Sequence, residues 1–380
     1  MNEKEIAELR RRFRPDKSNI SCLRGCYVNE KKEITSEFKQ SLMLMTPEEA
    51  EELLAILKKT LAGTVGKHLF SLEFTANQVL DSDEHRLLTA LRGASAADDE
   101  IVHTFYRKVI DSLTMDSSYL ILLAQDSYDV PAYAKDGSRS EDSDRMFQYV
   151  LCSICPIKVG KPALSYYVHE NSFRSVLADS VVGVPALGFL FPAFDNRTTN
   201  IYGALYYSRD TSDNHSEFVE SIFHTPLPMA AKAQKEAFHT VLQESIGEDC
   251  SYEVIQTVHE QLSALIEDHR VNREEEPLVI TGDTVKTVLT ACGVPEARAE
   301  TFGTKYTETF GADAALPPAN LVDPKHFEVR TPDVVISIKP DRTDLVETRV
   351  IDGVKYVMVR ADSGVAVNGV DINIRTSEEE

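Results

Sequence analysis

The stretch YVLCSICPIKV, residues 149–159, decides how the first half of the chain is read. Its two thiols, Cys152 and Cys155, stand three apart. On a regular strand, side chains at that spacing point to opposite faces, so the sulfurs cannot meet on one ion. A thioredoxin-type pair needs its first thiol at a helix N-terminus, and here the neighbours are apolar and of strand type. Zinc would need two further ligands. The similar pair Cys22 and Cys26 is wider and has no histidine close by in sequence. The stretch is therefore read as a strand with two buried thiols.

That strand groups with its neighbours. YLILLAQDSYDV (119–130), ALSYYVHE (163–170), LGFLFPAF (187–194) and NIYGALYYSRD (200–210) are rich in β-branched and aromatic residues. Together they form a β-rich block. AKDGSRSEDSDR (134–145) reads as an exposed loop between the first two strands. Tyr166–Tyr167 and Tyr206–Tyr207 each put one ring on either face of a strand, which suits packing better than base stacking. Upstream, the spacing of Ile6, Leu9 and Phe13 predicts a helix, and the runs around 29–32 predict a β-hairpin. TPEEAEELLAILKKTLAG (46–63) has a Thr46 cap, a proline in its first turn and a closing glycine. Further helices are expected over 83–91 and 98–113.

After Asp210 the pattern turns helical. Segments at 214–225, 228–247, 251–269, 283–291 and 296–310 carry apolar residues at helical spacing, and VNREEEP (271–277) reads as a charged linker. From about Asn320 the chain is β again, with Asp352–Gly353 as a two-residue hairpin turn. The expected class is α+β: a mixed helix and antiparallel-sheet part over 1–212, a helical region over 213–312, a small β unit over 313–374, and a disordered acidic tail at 375–380.

Composition narrows the function classes. A chain of 380 residues should hold two or three structural units at about 100–200 residues each. The charged N-terminus lacks a signal-peptide core, and no run approaches the length needed to cross a bilayer. The expectation is a cytoplasmic protein of bacterial type, with no membrane partner and no cofactor. Six cysteines are too sparse for a disulfide framework. The net charge of −21 repels nucleic-acid phosphate at long range.

One segment runs against that charge. Arg10, Arg11, Arg12, Arg14 and Lys17 lie in a basic opening stretch, which a helix end followed by Pro15 also explains. If the protein meets DNA, these five would contact phosphate. The best local acid–base group is DSDEHR, in which Asp81, Asp83, Glu84 and His85 stand side by side. Helix-start chemistry accounts for it as well as catalysis does. The histidines do not cluster at ligand spacing, and no phosphate loop, dinucleotide fingerprint or nucleophile elbow is present.

Two resemblances add to this reading. RRRFRPDKSNI, RGCYVNEKKEI, DSDEHRLL, CSICPIK, KPALSYYVHEN, GFLFPAFDNRTTNIYGALYY and FEVRTPDVVISI resemble, over the whole chain, the bacterial domain-of-unknown-function family numbered four thousand three hundred and seventeen. That family supplies no activity. From about residue 100, and most clearly in IYGALYYSRDTSDNHSEFVESIFHTPLPMAAKAQKEAFHTVLQE, the order of elements also resembles the bacterial nucleoid-associated protein family. Its nearest literal motif is Ala231 to Gln234, and no DNA-contacting residue carries over. The expectation is a binding or scaffold protein without enzymatic activity, nucleoid-associated in its narrower form. The alternatives are a hydrolase-like enzyme using residues 81–85 and a homo-oligomeric interaction module.

Overall fold

A computed structural model describes residues 1–94, 98–131, 146–160, 163–176, 180–272, 278–312, 314–361 and 364–373. The expected loop at 134–145, most of the charged linker and the whole acidic tail at 375–380 lie outside the described residues. The chain divides into two compact units, Met1–Ala233 and Gln234–Glu380.

The first unit begins with α1 (Glu3–Arg10), β1 (Cys22–Val28), β2 (Ile34–Ser41) and α2 (Pro47–Lys59). β3 (Leu69–Glu73), α3 (Ala76–Asp81), α4 (Asp83–Gly93) and α5 (Asp99–Ser112) follow. The β-rich block comprises β4 (Tyr119–Asp129), β5 (Met146–Val159), β6 (Ala163–Tyr167), β7 (Ser172–Val176), β8 (Ser180–Val182), β9 (Leu187–Phe191), β10 (Ala193–Asp195), β11 (Thr198–Asn200) and β12 (Gly203–Ser208). α6 (Ser216–Phe223) closes the unit. The local signals explain many of these boundaries. Thr46 and Thr75 each form a capping box, their hydroxyls accepting from the Glu49 and Gln78 amides, which satisfies donors that the first helical turn leaves open.

Most strands join one antiparallel sheet in the order β2-β1-β4-β5-β9-β12-β3, with β8 added to the end of β5. Both faces of this sheet are covered. On one face Ile6 and Leu9 of α1 and Leu54 and Leu57 of α2 pack on Leu122, Leu151, Leu190 and Leu205. On the other, Leu88, Phe105, Val109, Phe218 and Phe223 of α4, α5 and α6 pack on Ile121, Val150, Phe189 and Tyr206. An antiparallel sheet with one wet face alternates apolar and polar residues, whereas one covered twice reads as continuous apolar runs. LGFLF and GALYYS are buried at every position. Burying a single side chain such as Phe189 contributes roughly 1.5–3 kcal/mol.

The second unit contains most of α7 (Ala231–Ile246), then α8 (Tyr252–Asn272), α9 (Gly282–Ala291), α10 (Glu296–Phe310) and α11 (Pro318–Leu321). Phe238, Leu242, Val258, Leu262, Leu289 and Phe302 form its core. Three separate antiparallel ribbons follow: β13 (Phe327–Arg330) with β14 (Val335–Ile338), β15 (Val346–Ile351) with β16 (Val354–Val359), and β17 (Val365–Val367) with β18 (Val370–Ile372). The small cluster of Phe327, Ile338 and Val346 anchors their beginning. The class is α+β, with antiparallel sheet in the first part and short strand pairs at the end. Among the described residues, no helix is long and apolar enough to cross a membrane.

Candidate functional site

The thiols of the opening stretch are separated by the sheet. Cys152 belongs to the cluster of Phe189 and Ile154 on one face, and Cys155 to the cluster of Leu151 and Leu190 on the other. Both are buried. Burial pushes the Cys155 thiol up to about 12. It pushes the Cys152 thiol well above the ordinary range, with the nearby Cys155 adding to the effect. A metal ligand or nucleophile needs an accessible thiolate, and these positions oppose its formation. Among the described residues, no three His, Cys, Asp or Glu side chains group to hold a metal ion.

The 81–85 group is built by helix starts. Asp81 ends α3 and Asp83 opens α4, with the Ser82 hydroxyl between them accepting the His85 amide at 3.1 Å. The Asp81 and Asp83 carboxylates both take Arg86, at 2.5 and 3.1 Å. Glu84 takes Lys108 of α5 at 2.8 Å. The Lys108 hydrogen bond is the main reason the Glu84 carboxyl lies below its usual range, opposite to the shift a general acid requires. His85 turns inward. Its ring lies edge-on to Phe74 and Phe191, and Nε2 sits 2.9 Å from the Ile201 carbonyl oxygen. A carbonyl only accepts, so Nε2 carries the proton. Asp81 and Asp83 thus share Arg86, while Glu84 and His85 aim at two other targets.

The basic stretch divides likewise. Arg11, Arg14 and Lys17 are exposed and Arg10 is half-buried. Arg12 folds back: its guanidinium lies 4.2 Å from the Tyr128 ring centre, donates to the Ser127 carbonyl at 3.2 Å and stands 3.7 Å from the Asp126 carboxylate. Asp126 is buried and accepts from the Tyr149 hydroxyl at 2.8 Å and from the Asn19 and Ser127 amides at 3.0 and 2.8 Å. Burial raises its carboxyl above the usual range, against the pull of Tyr149 and Arg12. Arg12 therefore acts as the counter-ion of a buried carboxylate.

A second polar contact fixes α1 on the same face. Asn196 and Arg197 both have positive φ, 50° and 56°, in the two-residue turn between β10 and β11. That conformation matches the twist of a hairpin. It brings the Asn196 amide to Glu5 at 2.6 Å and the Arg197 guanidinium to Glu8 at 2.9 and 3.0 Å, while Tyr128 donates to Glu8 at 2.6 Å. Nothing local in sequence marks these partners, because each belongs to a different element.

A cavity of about 220 Å³ lies beside β1 and β4, lined by Leu91, Val102, Leu123 and Val150 with the polar Arg24 and Gln125. Arg24 is bound to Asp99 at 2.6 Å. None of Asp81, Asp83, Glu84 or His85 lines this cavity. Exposed apolar surface is concentrated elsewhere, on ribbons. On β6 and β7, Leu164, Tyr166 and Phe173 are exposed, with the Tyr166 and Phe173 rings 5.0 Å apart. On β15 and β16, exposure reaches 68% at Val350, 53% at Val354 and 54% at Val359, and Tyr356 and Val357 are also exposed. β16 is apolar on both of its faces, a pattern that sequence alone reads as a covered strand.

The family described as domain of unknown function, DUF4317, matches residues 1–370. No curated protein and no solved structure matches the chain.

Proposed function

We propose that this chain, which belongs to the DUF4317 family, is a non-enzymatic binding or scaffold protein that works by presenting strands and side chains to other macromolecules. The observation that carries this reading is the β15–β16 ribbon, whose Val350, Ile351, Val354, Tyr356, Val357 and Val359 side chains face solvent. An isolated two-stranded ribbon is at best marginally stable in water, and contiguous exposed apolar surface marks interaction sites. The competing hydrolase-like reading rests on Asp81, Asp83, Glu84 and His85. Their engagement with Arg86, Lys108 and the Ile201 carbonyl weighs against it. The deciding experiment assays the purified chain and His85→Ala against ester, phosphomonoester and peptide substrates. No turnover attributable to the protein is expected, and turnover abolished by His85→Ala would overturn the proposal.

A nucleoid-associated role is the narrower form of this reading, supported by the exposure of Arg11, Arg14 and Lys17. Contacts confined to phosphate would give sequence-independent binding that falls steeply with salt. Fluorescence anisotropy with a short duplex should then show affinity lost on replacing Arg10, Arg11, Arg14 and Lys17 with alanine. Equal binding by that variant at low salt would remove the DNA role and leave the broader reading in place.

A further inference from the structure

The β15–β16 ribbon has an outer edge whose geometry selects one occupant. Asp352 and Gly353 have φ of 50° and 80°, forming a two-residue turn flanked by the pair Ile351 and Val354. In such a hairpin the flanking pair exchanges backbone hydrogen bonds, and alternate pairs along the ladder do the same. Ile351, Arg349 and Glu347 therefore direct their N–H and C=O groups at β16. The bond from the Arg360 amide to the Leu345 carbonyl, 2.7 Å, continues that parity. Val350, Thr348 and Val346 are left with backbone groups directed away from β16. The Val346 N–H is already taken by the Thr343 carbonyl.

An exposed edge of this kind is a template for another strand. We propose that it pairs antiparallel with β15 of a second copy of this chain, about a two-fold axis at Thr348. This deepens the binding-protein reading and rests on it. Backbone parity requires only that the outward residues oppose one another, which admits an axis at any position from Val346 to Val350. Axes at Glu347 or Arg349 would set Glu against Glu or Arg against Arg, so the charges then choose. At Thr348, Glu347 stands opposite Arg349 of the second copy, and Arg349 opposite its Glu347. Both pairs fall at positions without mutual backbone bonds, where side chains approach most closely. An axis at Val350 would set Arg349 against Ile351, and one at Val346 would run the strand into the turn at 340–345. Within one chain Glu347 and Arg349 already share a face at 2.8 Å, so pairing builds a closed group of alternating charges. Thr348 meets Thr348 with reciprocal N–H to C=O bonds, and each Val350 N–H reaches the Val346 carbonyl opposite. The outcome is a four-stranded sheet whose outer strands are the apolar β16.

The test is the oligomeric state of the full-length protein, read by sedimentation with variants at two exposed positions. Glu347→Arg sets Arg against Arg across the axis, and Arg349→Glu sets Glu against Glu. Each should weaken self-association by about tenfold or more. The double variant Glu347→Arg with Arg349→Glu should recover it, and a mixture of the two single variants should form a heterodimer. Circular dichroism should be unchanged throughout, since both side chains are exposed. A wild-type chain that stays monomeric at about 100 µM, or single variants that associate as tightly as wild type, would overturn the pairing. Dimers insensitive to these charges would leave the binding-protein reading standing. Turnover dependent on His85 would strike that reading and leave this charge test unchanged.

Discussion

Cys152 and Cys155 share one short stretch of sequence and belong to different interiors. Their separation follows from strand parity alone, so it was legible without a fold. Their inertness depends on how deeply each face is covered, and that yields a prediction. Cys22, Cys250 and Cys292 are half-buried, whereas Cys26, Cys152 and Cys155 are buried. Burial pushes the Cys26 thiol up to about 12, with the Glu37 charge adding to it. An aromatic disulfide reagent at about pH 8 should modify only the half-buried set in the native state, because the thiolate is the reacting form. The buried three should react only in denaturant, as followed by mass spectrometry. Rapid native modification of Cys152 would mean that the strand is not covered. Arg12 shows where reading by residue stops. Its basic neighbours suggested phosphate contact, but Asp126 and Tyr128, distant in sequence, draw its guanidinium inward.

Among the elements, those with local chemistry were legible and those set by pairing were not. Thr46 marked α2, the Asp352–Gly353 turn marked the β15–β16 ribbon, and the apolar spacing of 296–310 marked α10, as the structure shows. The short α3 was not read, because its only start signal is the reciprocal bond between Thr75 and Gln78. The order of strands was not legible either, since β3 pairs with β12 across most of the unit and no local signal specifies that. Gly188 of β9 marks a close approach between this strand and its neighbour β5. A Cβ there would stand 2.3 Å from the Cys152 carbonyl oxygen on β5 and 2.6 Å from Cγ2 of Thr60. Neither neighbour can easily withdraw: one is backbone, and the Thr60 hydroxyl is held by Ser153 at 2.6 Å in a buried bond. Gly188→Ala should therefore destabilise the protein by about 1–3 kcal/mol through overpacking. Gly93→Ala, where a Cβ meets nothing within 4 Å, should be neutral or stabilise by up to about 1 kcal/mol. Urea midpoints of the two variants check this, and equal midpoints would contradict the close approach of β9 to β5.

Among the described residues, the two units carry separate sets of core side chains. The sheet of the first unit is closed on both faces by α1, α2, α4, α5 and α6, and the second unit encloses its own helical core. Composition signalled a change near Asp210, but α6 follows that change and still packs on the sheet through Phe218, Ile222 and Phe223. A helix stripe shows that a face is buried and does not show against what. The division instead falls inside α7, whose first turn is held by the bond from the Lys232 amide to the Thr211 carbonyl at 3.0 Å. A fragment of residues 1–233 keeps that bond, every strand of the large sheet and the helices on both faces. Separate cores make separate cooperative units, so one all-or-none transition is not expected of the full chain. Its urea unfolding should resolve into two transitions, and the fragment should reproduce one of them at the same midpoint with a smaller total denaturant dependence, because less surface is exposed. A single transition in the full chain together with an unfolded fragment would show that the sheet needs residues beyond Ala233 to hold, and would place the cooperative boundary elsewhere.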